Sequence, residues 1–192
     1  MDDILQDGFQ YHTNWCVITG APSSGKTSVI NALKARGYAA EDEVARELIE
    51  EALKDGRTLT QIRNHPVRLQ HNILSVSVAR EEELDPAALV FLDRGLPDSL
   101  TYFRLAGHAR PAGALAAARL FRYKAVFIFD RLPIVKDDVR TEDAALADRI
   151  DKMLEEDYRT VGYDPIRVPV LPIEERADFV LAHIQGAAQA RR

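Results

Sequence analysis

Cysteine is almost missing from this chain. Cys16 is the one thiol in 192 residues, so a core stapled by internal disulfides is excluded. Lying inside an apolar run, Cys16 reads as a small buried hydrophobe in a reducing compartment. Long apolar runs are missing too, since no stretch approaches the roughly 20 residues that cross a bilayer. The opening Met1-Asp2-Asp3-Ile4-Leu5-Gln6-Asp7 is acidic where a signal peptide is basic. The expectation is a cytoplasmic protein with no stable membrane association. Positive charge is not in excess either: 25 Lys and Arg against 30 Asp and Glu give −5, which argues against nucleic acid as a partner. No repeat, low-complexity tract or Gly-, Ser- or Pro-rich linker divides the chain. What remains is an ordinary globular composition, 46% hydrophobic and 29% charged, at a length suited to one domain over residues 1–192.

Against that background stands Gly20-Ala21-Pro22-Ser23-Ser24-Gly25-Lys26-Thr27, a complete G-x-x-x-x-G-K-[ST] phosphate-loop pattern. Gly20 and Gly25 let the backbone turn so that successive N–H groups form an anion nest. The helix that starts after the loop, through Ser28, adds its unpaired N–H groups and the positive end of its dipole. Lys26 is expected to place its charge on the β/γ-phosphates of ATP, and the Thr27 hydroxyl to hold Mg²⁺. The context fits, because Trp15-Cys16-Val17-Ile18-Thr19 before the loop is β-prone. After it, Val29, Ile30 and Leu33 have helical spacing. A nucleotide triphosphate is therefore the expected partner.

The remaining pattern alternates short apolar strands with amphipathic helices. Strands are expected at 15–19, 38–41, 88–92, 125–129 and 166–170. Helices are expected after the loop, through 44–53, over most of 59–84 with a break at Pro66, near 97–106 and 112–121, through 146–160, and over 174–185. Near-continuous apolar strands separated by helices imply a parallel sheet covered on both faces, with ligands bound beyond the carboxyl ends of the strands. The residues just after strands one to four must then share one rim.

Asp93 ends the third strand, where a carboxylate can hold the water shell of Mg²⁺. Glu41, Asp42, Glu43 and Arg46 follow the second strand. Either Glu43 or Asp42 is a candidate base for an acceptor hydroxyl, with Arg46 to position the acceptor. The same residues also suit a helix start stabilised by its own dipole, with Arg46 as a local ion-pair partner. Arg94 is suited to a substrate anion or to pairing with Glu43. The segment 130–143, carrying Arg131, Lys136 and Arg140, is long for a connection in such a fold and reads as a lid whose arginines could meet transferred phosphoryl charge. His65, His71, Tyr102, Arg104 and His108 have no metal-ligand spacing and read as surface or core-edge residues. Tyr163-Asp164, after Gly162, reads as a turn before the last strand.

In order along the chain, the loop, Asp42-Glu43-Val44-Ala45-Arg46, Phe91-Leu92-Asp93-Arg94-Gly95, Phe129-Asp130-Arg131 and the tail from Gly162-Tyr163 through Val168-Pro169 to Glu174-Glu175-Arg176 carry a resemblance. They resemble the AAA-labelled P-loop domains related to the nicotinamide riboside kinase half of the NadR proteins, over nearly the whole chain. The resemblance implies an α/β, three-layer P-loop NTPase fold with a five-stranded parallel sheet, like the nucleoside and nucleotide kinases, with a lid. It implies Lys26 and Thr27 for the triphosphate and Mg²⁺, Asp93 as the acidic residue at the end of strand three, Glu43 and Arg46 on the acceptor side, and Arg131 and Arg140 in the lid. It also includes members that resemble GTP- and phosphoinositide-binding proteins.

Three functions compete. A Mg²⁺-dependent kinase acting on a nucleoside-like or related small-molecule acceptor suits the single-domain size, the base candidate and the lid. A nucleotide-dependent regulatory protein acting through a partner or phosphoinositide is the alternative. The N-K-x-D device of guanine-specific switches is absent, its place being taken by Phe129-Asp130-Arg131-Leu132. An oligomeric ATPase motor would want Asp-Glu where this chain has Asp93-Arg94. The acceptor is not identified, and a homodimer is left open.

Overall fold

The computed structural model describes residues 8–133 and 141–189, without the side chains of 141–143 and 187–189. Lys136 and Arg140, and with them most of the expected lid, lie outside the described residues. Along the chain run β1 (Tyr11–His12), β2 (Cys16–Thr19), α1 (Lys26–Ala35), β3 (Ala39–Glu41), α2 (Val44–Lys54), α3 (Leu59–Arg63), α4 (Pro66–Glu83) and β4 (Val90–Asp93). They are followed by α5 (Asp98–Leu105), α6 (Ala112–Ala117), β5 (Phe121–Arg122), β6 (Ala125–Phe129), α7 (Thr141–Thr160), β7 (Ile166–Val168) and α8 (Ile173–Gln189).

The five expected strands form one parallel sheet in the order β3-β4-β2-β6-β7. β2, which leads into the phosphate loop, lies at the centre between β4 and β6, with Ile18 opposite Asp93 and Thr19 opposite Ile128. Side chains alternate between the faces of a strand, and the core divides accordingly. Cys16, Ile18, Phe91, Phe127 and Phe129 pack with Val29, Ile30 and Leu33 of α1 and Val180 and Ile184 of α8. Val17, Leu92, Val126 and Ile128 face the other way, against Leu100 and Phe103 of α5 and Tyr158 of α7. Burying each of these side chains stabilises the fold by about 1.5–3 kcal/mol. Cys16 is fully buried as expected, and burial pushes its thiol up to about 12.

Helix boundaries follow local chemistry. Pro66 starts α4 at a position where its missing N–H costs nothing. Thr58 caps α3 in a reciprocal capping box with Gln61. Two expectations need correction. The helix near 112–121 stops at Ala117, because Phe121–Arg122 pairs in parallel with Tyr11–His12 as a two-stranded sheet. Tyr163 is no simple turn residue. It is buried, donates to the Phe121 carbonyl at 2.8 Å and accepts from the Tyr123 N–H at 3.1 Å, tying the last turn to this small sheet.

Candidate active site

The rim above β2, β3 and β4 gathers residues that are distant in sequence. Gly20 leaves β2 at φ +144°, and a Cβ there would lie 2.8 Å from the Phe129 carbonyl oxygen of β6. Backbone conformation and close approach therefore both require glycine. Gly25, at φ +82°, turns the chain into α1. The loop wraps its own lysine. Lys26 Nζ donates to the Gly20 and Ala21 carbonyls at 2.8 and 3.0 Å and lies 3.3 Å from Ser24 Oγ. Burial, with repulsion from Arg94, pushes this ammonium down to about 8, although Asp93 and Glu43 pull it the other way.

Asp93 is buried and accepts from Thr27 Oγ1 at 3.3 Å through Oδ2. Its other oxygen, Oδ1, is buried without a hydrogen-bond partner among the described residues. Such an orphaned acceptor carries a desolvation cost of about 1–3 kcal/mol. Burial raises the Asp93 pKa, Arg94 opposes that, and the net shift is upward. A hydroxyl beside a carboxylate with an unused oxygen is a donor set that fits Mg²⁺, a hard ion that needs few protein ligands because it keeps its waters.

Arg94 follows Asp93 at φ +77°, a backbone region that costs a non-glycine residue about 1–3 kcal/mol. It is held there by its surroundings. Its N–H donates to the Ile18 carbonyl at 3.0 Å, Nε reaches Glu43 Oε1 at 2.6 Å, and Nη1 reaches Asp98 Oδ1 at 3.0 Å. The guanidinium also lies 5.1 Å from the centre of the Tyr102 ring. Burial pushes the Glu43 carboxyl up, but the Arg94 charge and hydrogen bond outweigh it, and the net shift is downward. Glu43 is thus an oriented carboxylate whose Oε2, among the described residues, has Arg46 as its one ion-pair partner, at 3.9 Å. Asp42, at the exposed edge of the same rim, is paired with Lys34 at 2.7 Å. Arg46 is also largely exposed.

All of these border one cavity of about 740 Å³. It runs from loop residues 22–28 past Glu43, Asp93 and Arg94 to an inner chamber under α2 and α4, walled by Ile49, Leu69, Ile73, Leu74 and Leu84. Tyr102 borders it, whereas His71 packs edge-on against Phe103 and Arg104 pairs with Glu156 and Asp157. Arg131 is not brought to this cavity: its Nη1 donates to the Ala144 carbonyl at 2.7 Å and to Asp148 at 2.6 Å, on α7. Among the described residues no group of three or more His, Cys, Asp or Glu is placed to hold a metal.

Three residues that support the site went unassigned in the sequence reading. Asp98, 3% exposed, accepts from Thr19, Arg94, the Gly95 N–H and Tyr158, so its capacity is spent on holding β2, β4 and α7 together. Its place at the start of α5, four residues after Arg94, was the available signal. Arg176, 1% exposed, donates to the Ser24, Asp130 and Pro169 carbonyls at 2.5, 3.0 and 2.8 Å, bracing the loop from α8. Glu81 sits on the apolar side of α4, and a lone carboxyl in an apolar stripe was its signal.

A family model described as an AAA domain matches residues 15–176. No curated protein matches the sequence. Solved structures that share the fold include deoxyadenosine kinase from M. mycoides, at 16% identity and a TM-score of 0.59, covering 90% of this chain and 99% of that one. Thymidylate kinase from Ehrlichia chaffeensis has 11% identity and a TM-score of 0.62, with 91% of this chain and 99% of that one covered. A NadR protein in complex with NR has 14% identity and a TM-score of 0.57, with 81% of this chain and 45% of that one covered. At such identities the likeness is one of fold.

Proposed function

We propose a reaction from one premise, that the chain belongs to the AAA domain family. The reaction is Mg²⁺-dependent transfer of the γ-phosphoryl group of ATP to a hydroxyl of a nucleoside-like or related small metabolite. The observation that carries it is the continuity of the cavity. Phosphate loop, oriented carboxylate and apolar chamber open into one space, so a donor phosphate and a small acceptor can meet there without water between them. The small-molecule kinases that share the fold support the reading by analogy.

The chain's own groups divide the work. The loop N–H groups and the N-terminus of α1 receive the β- and γ-phosphates. A phosphate oxygen replaces the Gly20 and Ala21 carbonyls as the partner of Lys26 Nζ, and its charge raises the pKa of that lysine again. Thr27 and Asp93 would hold Mg²⁺, which when bound neutralises phosphate charge and helps fix the phosphoryl group in line. Glu43 Oε1 stays on Arg94, leaving Oε2 for the acceptor hydroxyl. The acceptor oxygen bonds to the γ-phosphorus, the bond from that phosphorus to the bridging oxygen breaks, and ADP leaves with the electron pair. The hydroxyl proton passes to Glu43 Oε2. A depressed pKa suits this role, because a loose transition state asks for the proton late and for orientation throughout. The paired, exposed Asp42 is the poorer base.

The test is incubation with ATP, Mg²⁺ and a panel of nucleosides and hydroxylated metabolites, read by mass spectrometry. One acceptor should gain a phosphoryl group in proportion to ADP released. Tight ATP binding with no phosphorylated product from any acceptor would falsify the kinase reading.

A further inference from the structure

The chamber's inner end holds a carboxyl group that the phosphoryl chemistry does not use. Glu81, on α4, is 6% exposed and borders the cavity beside Ser77, Leu84 and Leu96. Its Oε2 accepts from the Tyr123 hydroxyl at 2.7 Å, and that hydroxyl accepts in turn from the Leu96 N–H at 3.0 Å. Oε1 has no hydrogen-bond partner among the described residues, and no Lys or Arg forms an ion pair with Glu81 there. Arg80, its neighbour on α4, is committed to Glu47. A carboxylate left so dry and unpaired is costly, and the neutral acid is favoured.

The Leu96 N–H already donates to the Tyr123 oxygen, so the hydroxyl is placed to donate to Oε2. That arrangement favours the carboxyl proton on Oε1, which has no hydrogen-bond partner among the described residues. A buried O–H is thereby offered to the cavity, with a lone pair beside it. Its complement is a carbonyl oxygen with an adjacent N–H, the edge of an uncharged amide or lactam, on a flat apolar body that fits the leucine and isoleucine walls. We propose that Glu81 determines acceptor specificity, selecting an uncharged acceptor whose amide-type edge pairs with Oε1 at the inner end of the chamber. Burial pushes Glu81 up to about 8, the Tyr123 hydrogen bond opposing it and the charge of Asp98 adding to the rise. This inference rests on the kinase reading for the word acceptor, but the binding it describes needs no phosphoryl transfer.

The test therefore omits ATP. Titration calorimetry on the full chain compares 2-pyridone, which carries the N–H and carbonyl side by side, with N-methyl-2-pyridone, which lacks the donor, and with benzylamine, which would instead seek a charged carboxylate. The native protein should bind 2-pyridone about tenfold more tightly than its N-methyl analogue. Glu81→Gln keeps a donor, an acceptor and the shape, and should preserve that preference within about threefold. Glu81→Leu should abolish it, the two pyridones then binding alike. Equal or absent binding of the pyridones to native protein, a preference that survives Glu81→Leu, or tighter binding of benzylamine than of 2-pyridone would each overturn the proposal. A kinase reading that fails in the metabolite screen leaves these outcomes readable.

Discussion

The two ends of the cavity are built on opposite plans. At the loop end most groups are polar, tightly spaced and, Asp93 Oδ1 excepted, bonded to their neighbours. Lys26 reaches three loop atoms, and Arg94 bridges Glu43 and Asp98. At the inner end the walls are mainly aliphatic, with Arg63, Gln70, Ser77, Arg80 and Glu81 as the polar groups contributed by α3 and α4. The first plan suits a ligand that is the same in every turnover, a polyphosphate whose charge must be met by fixed dipoles. The second suits recognition by shape with one directional contact, which a family can alter without disturbing the chemistry. Strain is spent at the loop end, where the non-glycine residues Ser23 and Arg94 have positive φ.

Breaking this contrast gives predictions of decreasing size. Glu43→Gln should lower turnover about 10²–10⁴-fold while ATP affinity, measured by calorimetry, changes less than about threefold. A parallel loss of affinity would show Glu43 to be part of the loop scaffold. Lys26→Ala should weaken ATP binding about a hundredfold, since it removes a buried cation from the phosphate site, and an unchanged affinity would remove the lysine from that role. Arg176→Met leaves the buried Ser24 carbonyl and the part-buried Asp130 and Pro169 carbonyls without their donor and should cost about 1–3 kcal/mol in chemical denaturation. That loss should carry a rise in KM for ATP greater than the fall in kcat, because the loop loses its brace and the base does not.

The smallest effect concerns protons. Lys26 is lowered to about 8 in the free protein, so near pH 8 about half of it is uncharged. Phosphate should restore the charge, and ATP binding at pH 8 should take up about half a proton, read by calorimetry in buffers of different ionisation enthalpy. Binding should weaken as pH rises above 8. For stability the sign is opposite: between about 8 and the ordinary value of 10.5, the unfolded chain holds more protons at this lysine, so its contribution rises with pH. Proton uptake that persists in Lys26→Ala would assign the effect to another group.

The loop end was readable because its pattern is contiguous. Residues 20–27 specify their own turn, and the apolar strand before and helical spacing after place it between β2 and α1. The five sheet strands were readable because a strand buried on both faces is apolar throughout. Glu43 and Arg94 were legible as candidates, although their pairing spans 51 positions. The short pairing of Tyr11–His12 with Phe121–Arg122 was not legible, since two residues carry no period and only their position beside the sheet makes them pair. Tyr163 was misread for a related reason: a residue that follows glycine looks like a turn until its hydroxyl is seen inside the core.

The chain by itself determined the alternation of strand and helix, the phosphate loop and the identity of the carboxylates along the rim, because propensity, periodicity and a glycine-set backbone act over a few neighbouring residues. Only the tertiary structure decided that Arg94 belongs to Glu43 and Asp98, that Arg176 braces Ser24 across 152 positions, and that Glu81 faces a cavity rather than water. The reason is physical. The state of a charged side chain depends on which partners and how much water surround it, and those are supplied by segments that only packing brings together.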